Sequence, residues 1–451
     1  MNYIRYSESV LDNQPHDSIL LRQLARHSTV QKSVDLLNYL ERSGYAWLTT
    51  IRGYRQEKEI QRKYYYIGAA ADIIGIILLI KCSCVVFLQD EYTRLLLGDI
   101  FIGSPSHGIQ NMVLTMLLVL TVGLRYFSFL SERIGNVVIL RQFHLLREKR
   151  FDCGTFMLTP VDCSLLRQVF YLLGFFYKTS NPSLSCAITG WLAYAYFSNP
   201  LNHTNWLTSI TTAFWTILAD FIYITATYPT VWMFAHNAMI ITFAIFSLKS
   251  CNYYGQSLIN ETCKIKKKAI YKFLAQQNRI YNFIYQHTVD LGMLFFYGCL
   301  VVSCTGNFIL FSAIFIGTGS DLFDYALVGV GALAFNSIGV MNILAAFAAS
   351  KISLNRLLNY KIARRCKFNR HLSLKLLMTC ERLNLTEVGF NLGGIFTLDS
   401  EHFLLYLMEN ASLMLMFITN FNKSSSNQQP SNNTIPNCGL NGTSQEAMGL
   451  C

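Results

Sequence analysis

The chain has 451 residues, of which 52% are hydrophobic and 14% are charged, and its formal net charge is +11. Soluble proteins usually carry about 25% charged residues, so this composition excludes an ordinary soluble domain. The windows 291–320 and 325–350 contain no charged residue. At about 1.5 Å per residue, each window is long enough to cross a hydrocarbon core of about 30 Å. We therefore predict an all-α, polytopic membrane protein.

The amino-terminal region 1–66 is polar and mixed in charge, and it lacks the apolar core of a cleavable signal peptide. We expect the first apolar helix to direct insertion. Seven predicted spans follow, at 67–88, 109–130, 165–198, 207–248, 284–318, 325–350 and 403–421. We interpret 165–198 as one element broken or kinked at Asn181-Pro182, and 207–248 as one helix kinked near Pro229. Eight or nine crossings stay open alternatives.

Lysine and arginine predict the orientation of these spans. Four segments hold 31 of these residues, namely 1–66, 131–166, 249–283 and 350–390, and the four alternate segments hold 2. The positive-inside rule therefore predicts a cytosolic amino terminus, and seven crossings put the carboxyl terminus outside. The predicted regions are a cytosolic segment 1–66, a seven-helix transmembrane domain 67–421 with cytosolic loops 131–164, 249–283 and 351–390, and an extracellular Asn/Ser-rich tail 422–451.

Four Asn-X-Ser/Thr triplets fall on the predicted outer side, at Asn202, Asn422, Asn432 and Asn441. They are candidate N-glycosylation sites. An Asn/Ser-rich tail also produces such triplets by chance, and similar ones begin in predicted cytosolic segments. The triplets therefore support the topology but do not establish it.

Catalytic and metal-binding patterns are not evident in the sequence. Cys82 and Cys84 lack a second cysteine pair, so we predict no metal site. We find no Gly-rich phosphate loop, paired metal-ligand spacing or nucleophile elbow, so we predict neither an enzyme nor a cofactor. The positive charges follow topology, which argues against nucleic acid as a partner. Asp72, Lys81 and Asp220 lie inside apolar runs, where a salt bridge or buried hydrogen bond is favoured over ion coordination.

The segment 380–421 reads CERLNLTEVGFNLGGIFTLDSEHFLLYLMENASLMLMFITNF. It resembles the ending of insect gustatory receptors, a branch of the insect chemoreceptor superfamily, in which a small residue, Gly, Phe and a Leu-Asp pair open the final helix. The corresponding residues here are Gly393, Gly394, Phe396, Leu398 and Asp399. Weaker similarity covers YPTVWMFAHNAMIITFAIFSLKSCNYYGQSLIN and RIYNFIYQHTVDLGMLFF, which resemble the family's fourth helix and the start of its fifth.

The family signature in the final helix is Thr-Tyr, five apolar residues and Gln-Phe. Phe421 matches its last position, whereas Leu413, Met414 and Asn420 replace Thr, Tyr and Gln. The chain is thus similar either to a divergent gustatory receptor or to a looser receptor-like relative. The departure keeps open an alternative function as a non-channel membrane scaffold, binding subunit or lipid-handling protein of the same fold.

The resemblance implies a chemosensory, ligand-gated, non-selective cation channel. It implies a homo- or hetero-tetramer with related subunits, a central pore lined by the final helix, and cytosolic helical extensions that form an intersubunit anchor. The ligand would be a small molecule, held in a cavity within each subunit. The location would be the plasma membrane, in sensory neuron dendrites. The basic cytosolic segments also suit an alternative role, binding to anionic membrane lipid.

A polar stripe runs along the last predicted span. Glu409, Ser412, Met416 and Thr419 are spaced as one helical face, and Asn420 borders it. An acidic residue at the centre of a spanning helix costs about 2.5–3.5 kcal/mol, and a water-filled lumen removes most of that cost. We predict that these five residues line the pore. In the alternative interpretation, Glu409 lies at the membrane interface and bonds to neighbouring helices.

Aromatic and amide residues predict a ligand pocket in the outer halves of helices three to six. A small-molecule pocket is typically apolar with a few directed polar groups. The candidate pocket residues are Trp215, Tyr223, Trp232, His236, Tyr297 and Asn336. The alternative is that the Trp and Tyr residues form ordinary interfacial belts.

Overall fold

A computed structural model describes residues 28–56, 62–103, 107–134, 137–260, 267–317, 321–365, 370–385, 388–393 and 396–426. Within these ranges the helices are, in chain order, α1 (Val30–Ala46), α2 (Arg62–Phe87), α3 (Glu91–Leu96), α4 (His107–Ile134), α5 (Arg141–Glu148), α6 (Cys153–Phe156), α7 (Pro160–Ser198), α8 (Trp206–Asn260), α9 (Lys267–Phe311), α10 (Asp321–Arg365), α11 (Arg370–Leu385) and α12 (Ser400–Ser426). Two-residue strands, β1 (Asn391–Leu392) and β2 (Phe396–Thr397), precede α12.

Helix α8 is the centre of the bundle. It contacts α1, α2, α3, α4, α7, α9 and α10. In its most apolar stretch 83% of the residues are buried inside the protein, against 22% for α2 and 28% for α10. A helix that is apolar on all sides must be covered, and other helices of the same chain cover most of α8 beyond Phe221. Its first part exposes Ile210, Phe214 and Ile217. The apolar faces of α2 and α10 are left for lipid or for neighbouring subunits.

The prediction of a helical polytopic membrane protein is confirmed. Among the described residues, α2, α4, α8, α9 and α10 are long and apolar enough to cross a membrane, and α12 contains a shorter apolar segment, Leu404–Met416. The region 165–248 forms parts of two continuous helices. Pro182 lies inside α7, and Pro229 lies inside α8. The carboxyl-terminal tail beyond residue 426, with Asn432 and Asn441, lies outside the described residues.

Local side-chain caps explain why several helices begin where they do. Thr159 precedes α7, and its hydroxyl accepts a hydrogen bond from the Asp162 N–H at 3.1 Å. Pro160 occupies the first helical position, where its missing N–H costs nothing. Asp152 caps α6 in the same way, accepting from the Thr155 N–H at 2.8 Å. Such caps satisfy N–H groups that have no partner inside the helix.

The three longest helices continue into the segments that we predict to be cytosolic. The carboxyl-terminal part of α8, the amino-terminal part of α9 and the carboxyl-terminal part of α10 pack together, and α11 packs on α9 and α10. Polar bonds join them: Asn252 donates to the Lys351 carbonyl at 2.9 Å, and the Tyr281 hydroxyl donates to Asn355 at 2.9 Å. The predicted segments 249–283 and 351–390 are therefore largely helical rather than open loops.

Charged residues inside the apolar runs have partners from the same chain. The Arg125 Nε of α4 lies 2.8 Å from the Asp72 Oδ1 of α2, and both side chains are largely buried. Lys81 donates to the Gly98 carbonyl at 3.1 Å, and Asp220 accepts from the Thr189 hydroxyl at 2.9 Å. These contacts join neighbouring elements and satisfy the charges locally.

We expect the Asp72→Asn substitution to lower the free energy of unfolding by about 3 kcal/mol, because it leaves Arg125 buried without its counter-charge. Thermal melting of the purified protein in detergent would measure this. Replacing both partners, as Asp72→Leu with Arg125→Met, should restore most of the stability. Glu91→Gln, which changes an exposed carboxylate, serves as the control. A melting temperature for Asp72→Asn equal to that of the control would contradict the prediction.

Candidate pore helix and ligand cavities

A short hairpin fixes the start of α12. Its two strands pair antiparallel, and the turn residue Gly393 has a φ of 61°, a conformation that favours glycine. The Gly393 N–H donates to the Gly292 carbonyl of α9 at 3.1 Å. A Cβ atom at Gly393 would lie 3.2 Å from the Phe296 side chain, so the close approach to α9 also favours glycine. The hairpin thereby ties the entry of α12 to α9.

Two other residues of the gustatory-receptor motif complete this start. Leu398 is buried, and its N–H donates to the Phe390 carbonyl at 2.9 Å. Asp399 caps α12, because its Oδ1 accepts from the N–H groups of Glu401 at 3.0 Å and His402 at 2.9 Å. Burial alone would raise the pKa of Asp399, but the hydrogen bonds from His402 and Glu401 outweigh it and hold that pKa below its usual value.

The remaining motif positions are less informative. Gly394 lies outside the described residues, and Phe396 contributes its backbone to β2. Phe421 lies within α12, as does Asn420. Among the motif residues that the structure describes, Gly393 turns the chain and Asp399 caps the start of the last helix.

Asn410 sets the rotation of α12 about its own axis. It is almost fully buried, and its Oδ1 accepts from the Ser303 hydroxyl at 2.7 Å and from the Asn307 amide. Its Nδ2 donates to the Tyr406 carbonyl at 2.6 Å. Ser303 and Asn307 belong to α9, so the side chain of Asn410 points at α9. Sequence analysis did not identify Asn410, although its position next to Glu409 inside an apolar segment was a usable signal.

The predicted pore stripe lies on the other side of α12. At about 100° per residue, Ser412 and Thr419 are roughly 160–180° from Asn410, and Glu409 and Met416 roughly 100–120°. The side chains of all four are exposed. Glu409 lies inside the apolar segment Leu404–Met416 rather than at its end. The stripe therefore faces out of the subunit.

A cavity of about 310 Å³ lies behind α12, between this helix, α9 and α10. Glu409 and Asn410 both line it, together with Ser303 of α9 and Asn342 of α10. The Glu409 carboxylate is thus accessible from this cavity as well as from the outer surface of α12.

The six candidate ligand residues do not form one pocket. Trp215 and Tyr223 line a cavity of about 20 Å³ between α2, α4, α7 and α8. Its polar groups are already engaged: the Tyr223 hydroxyl donates to the Leu114 carbonyl at 2.7 Å, and Lys81 lies over the Trp215 ring. A space of this volume holds about one water molecule. In this conformation it cannot admit a small-molecule ligand.

Trp232 and His236 belong to the packed core. Their rings stack at a centroid distance of 3.6 Å. The His236 Nδ1 lies 2.8 Å from the Trp232 carbonyl, and the Nε2 lies 2.7 Å from the Tyr54 hydroxyl. Tyr54 precedes α2, on the side that we predict to be cytosolic, so the pair packs against the amino-terminal segment and apart from Trp215 and Tyr223. The apolar surface of α8 runs past the membrane, which makes depth along it hard to assign from sequence.

The other two candidates lie apart. The Tyr297 hydroxyl of α9 donates to the Val119 carbonyl of α4 at 2.6 Å, and its ring packs against Phe127. Asn336 lies on α10 and is exposed. Tyr297 thus joins two helices, whereas Asn336 faces outward from the subunit.

The structure places two of the four candidate glycosylation sites. Asn202 is buried in the turn before α8, and its amide donates to the Tyr196 carbonyl at 3.1 Å. A glycan at this nitrogen would require the side chain to turn outward. Asn422 lies near the end of α12. In the described part of the chain, no group of three or more His, Cys, Asp or Glu side chains is arranged to hold a metal ion.

The whole fold is similar to that of the insect olfactory receptor OR5 from Machilis hrabei, with a TM-score of 0.56 at 14% identity, covering 86% of this chain and 98% of that chain. The same receptor in complex with eugenol gives a TM-score of 0.53 at 13% identity, covering 87% of this chain and 99% of that chain. The fold resembles that of an insect olfactory receptor. No protein-family model matches this sequence, and no curated protein matches it.

The similarity extends over nearly the full length of the olfactory receptor and therefore concerns the whole helical architecture. It bears out the chemoreceptor fold that the final quarter of the sequence suggested. At 14% identity it shows the fold alone, so the gustatory assignment and the roles of individual residues stay predictions.

We expect Asn410→Ala to lower the free energy of unfolding by about 2 kcal/mol, because Ser303 and Asn307 lose a shared buried acceptor. Thermal melting measures the effect. Ser412→Ala, two residues away on the exposed face of α12, is the matched control and should melt as the wild type does. Equal melting of Asn410→Ala and Ser412→Ala would mean that Asn410 does not hold α12 against α9.

Proposed function

We propose that this protein is a subunit of a gustatory-type chemosensory receptor that acts as a ligand-gated, non-selective cation channel. The observation that carries this proposal is the exposed polar stripe on α12, Glu409, Ser412, Met416 and Thr419, turned away from the Asn410 contact with α9. Polar and ionisable groups within spanning helices usually face a bundle interior or a water-filled cavity. Within one subunit Glu409 lines the cavity behind α12, but Ser412, Met416 and Thr419 face neither a bundle interior nor a cavity. We therefore propose a lumen shared with other copies as the environment of the stripe.

An assembly of several subunits also suits the exposed apolar surface. The stripe borders the exposed apolar residues Leu405 and Met408 on α12, and only 28% of the most apolar stretch of α10 is buried within the subunit. The proposed assembly is a homo- or hetero-tetramer with related subunits around one pore, in the plasma membrane of sensory neuron dendrites. The packed ends of α8, α9, α10 and α11 would form the cytosolic anchor between subunits.

The proposed pore is selective for cations because of its charge. Glu409 contributes one carboxylate from each subunit, and the segment 401–422 contains no lysine or arginine. A ring of carboxylates raises the local concentration of cations and repels anions. Ser412, Thr419 and the Asn420 position would supply polar groups farther along the same lumen, with Met416 at its narrow part.

In the proposed mechanism, the ligand shifts a population of conformations. The outer cavity lined by Trp215 and Tyr223 has a volume of about 20 Å³, so a ligand there must bind an expanded state. A ligand that binds the expanded state better than the compact state increases the population of the expanded state. Coupling of that expansion to α12 would open the pore. The ligand is proposed to be a tastant of small size.

A second candidate is a non-channel membrane protein of the same fold, which acts as a scaffold, binding subunit or lipid handler. Two observations favour it: the small outer cavity, and the replacement of the signature Thr, Tyr and Gln by Leu413, Met414 and Asn420. The two functions differ in assembly. The channel needs a closed ring in which Ser412 and Thr419 face a common axis, whereas the second candidate does not.

Cysteine accessibility would test the lumen directly. With Ser412→Cys or Thr419→Cys, we expect a membrane-impermeant charged thiol reagent to block cation flux through reconstituted protein. Ala411→Cys is the matched control, because Ala411 is also exposed but lies about 120° from the centre of the stripe. Glu409→Gln should reduce the preference for cations over anions by roughly tenfold.

The interpretation of these experiments depends on the assembly, which a density map of the purified protein provides. A ring with Ser412 and Thr419 facing its axis supports the channel even if no tested tastant opens it. A monomer, or a ring with these residues toward lipid, rejects the channel in favour of the second candidate. Unchanged selectivity in Glu409→Gln would remove Glu409 from the pore.

Orientation is tested separately by an epitope tag after Cys451. We expect an antibody to label the tag on intact cells, because the basic segments hold the amino terminus in the cytosol and seven crossings leave the tail outside. A second tag before Met1 is the control and should be labelled only after the cells are permeabilised. The reverse pattern would exclude the proposed topology.

A further inference from the structure

A large cavity lies away from the proposed pore, on the predicted cytosolic side. It has a volume of about 470 Å³. We refer to it as the basic cavity, because three arginines line it: Arg55 before α2, Arg141 at the start of α5, and Arg279 on α9. Its apolar wall is formed by Ile139, Phe243, Ile280 and Phe283.

The charge of this cavity is strongly one-sided. Its lining includes His144 as well as the arginines, and no aspartate or glutamate. Within the described residues, none of the three arginines forms an ion pair with a carboxylate, although Arg279 donates to the Thr155 carbonyl at 3.2 Å. The His144 Nε2 lies 4.0 Å from Glu148 at the rim. Three guanidinium groups around one space favour an anionic occupant.

One carboxylate lies behind the wall and is already occupied. Asp290 accepts from the Ile139 N–H at 2.8 Å and from the Gln286 amide at 2.6 Å. These two bonds direct its oxygens at the backbone and at Gln286 instead of at the arginines. Asp290 therefore positions the wall that carries Ile139 without neutralising the guanidinium groups.

Buried polar atoms in the lining indicate that the occupant is polar. Ser247 is 3% exposed and its hydroxyl has no hydrogen-bond partner, and the Nε2 of Gln142 is also buried without one. Leaving such a group unsatisfied is unfavourable, so a molecule in the cavity that offers oxygen atoms would be stabilised by them. Phosphoryl oxygens suit both the arginines and these two groups.

The position of the cavity points to the membrane as the source of that anion. The segment that carries Arg55 is held at the end of α4, because the Arg52 N–H donates to Glu132 at 3.2 Å. Helix α2 begins at Arg62, so Arg55 lies a few residues before the membrane span. The cavity lies at the predicted inner face of the bilayer, because its lining includes Ser247 near the end of the predicted span 207–248 and Gln286 near the start of the predicted span 284–318. Anionic headgroups of the cytoplasmic leaflet are present at this depth.

We propose that the basic cavity binds a multiply phosphorylated polyol headgroup of an anionic phospholipid from the cytoplasmic leaflet. Arg55, Arg141 and Arg279 bind the phosphates, while Ser247 and Gln142 bind oxygens deeper in the cavity. The same chemistry fits a free inositol phosphate. The site contacts α5, α8 and α9, so occupancy would fix the position of α5 and the segment before α2 against the central helices. The inference does not depend on whether the protein conducts ions.

Direct binding to the purified full chain in neutral nanodiscs tests the proposal. The probe is a fluorescent short-chain phosphatidylinositol bisphosphate, with short-chain phosphatidylcholine as the neutral comparison. We expect Arg141→Gln and Arg279→Gln each to weaken binding of the probe roughly tenfold. Arg356→Gln, which removes the same charge from an exposed cytosolic arginine outside the cavity, is the matched control and should leave binding unchanged.

Further variants separate the cavity from surface charge and from misfolding. Arg141→Lys keeps the charge and should recover part of the lost affinity, and Ser247→Ala should weaken binding several-fold without lowering the melting temperature, because its hydroxyl has no partner to lose. Competition by soluble inositol trisphosphate as strong as that of the lipid probe would support the site but assign it a cytosolic ligand. Absence of binding, or equal loss in Arg356→Gln and Arg141→Gln, would overturn the proposal.

Discussion

The structure depends on the burial of one helix. Helix α8 is apolar on every side, and in its most apolar stretch 83% of the residues are buried by other helices of the same chain, whereas its first part exposes Ile210, Phe214 and Ile217. Covering it requires α4, α7, α9 and α10 to surround it, and these in turn position α2 and α12 at the periphery. The central position of α8 therefore decides which surfaces of the other helices remain exposed. The candidate functional surfaces are the faces of the surrounding helices that do not pack on α8.

Helix α12 illustrates how a few polar contacts orient a peripheral helix. It packs mainly on α9 and α10, and its rotation is set by Asn410 at one point and by the Gly393 hairpin at another. Inside an apolar environment a buried amide has few alternative partners, so its bonds specify one rotation strongly. That rotation sends Glu409 outward. The contact of Asn410 with α9 and the exposure of the polar stripe thus depend on the same rotation of α12.

Much of the fold could be predicted from the sequence, because hydropathy and basic residues report directly on burial in a bilayer. The predicted span 325–350 lies inside α10, and 207–248 lies inside α8. Both helices extend farther, since their carboxyl-terminal ends are more polar and are joined by contacts such as that of Asn252 with the Lys351 carbonyl across 99 residues of chain. A hydropathy scan detects the membrane portion of such a helix and not its continuation.

The candidate sites were harder to predict for a related reason. The spacing of Glu409, Ser412, Met416 and Thr419 along one helix was enough to group them, because helical geometry is local. Asn410 could not be recognised as the residue that orients α12, since its partners are more than 100 positions away. Trp232 and His236 have the composition of a ligand pocket, yet Tyr54 occupies the remaining ring nitrogen. Composition alone cannot distinguish a packed aromatic cluster from an open one.

The length of α8 has a mechanical consequence. Its 55 residues form a rod of about 80 Å, which crosses the bilayer and continues far beyond it. If such a rod rotates by about 5° around its midpoint, each end moves by roughly 3–4 Å in opposite directions. If the helix keeps its shape at Pro229, a small displacement beside Trp215 is accompanied by an opposite displacement near Asn252. The length of α8 thus links movements at its two ends.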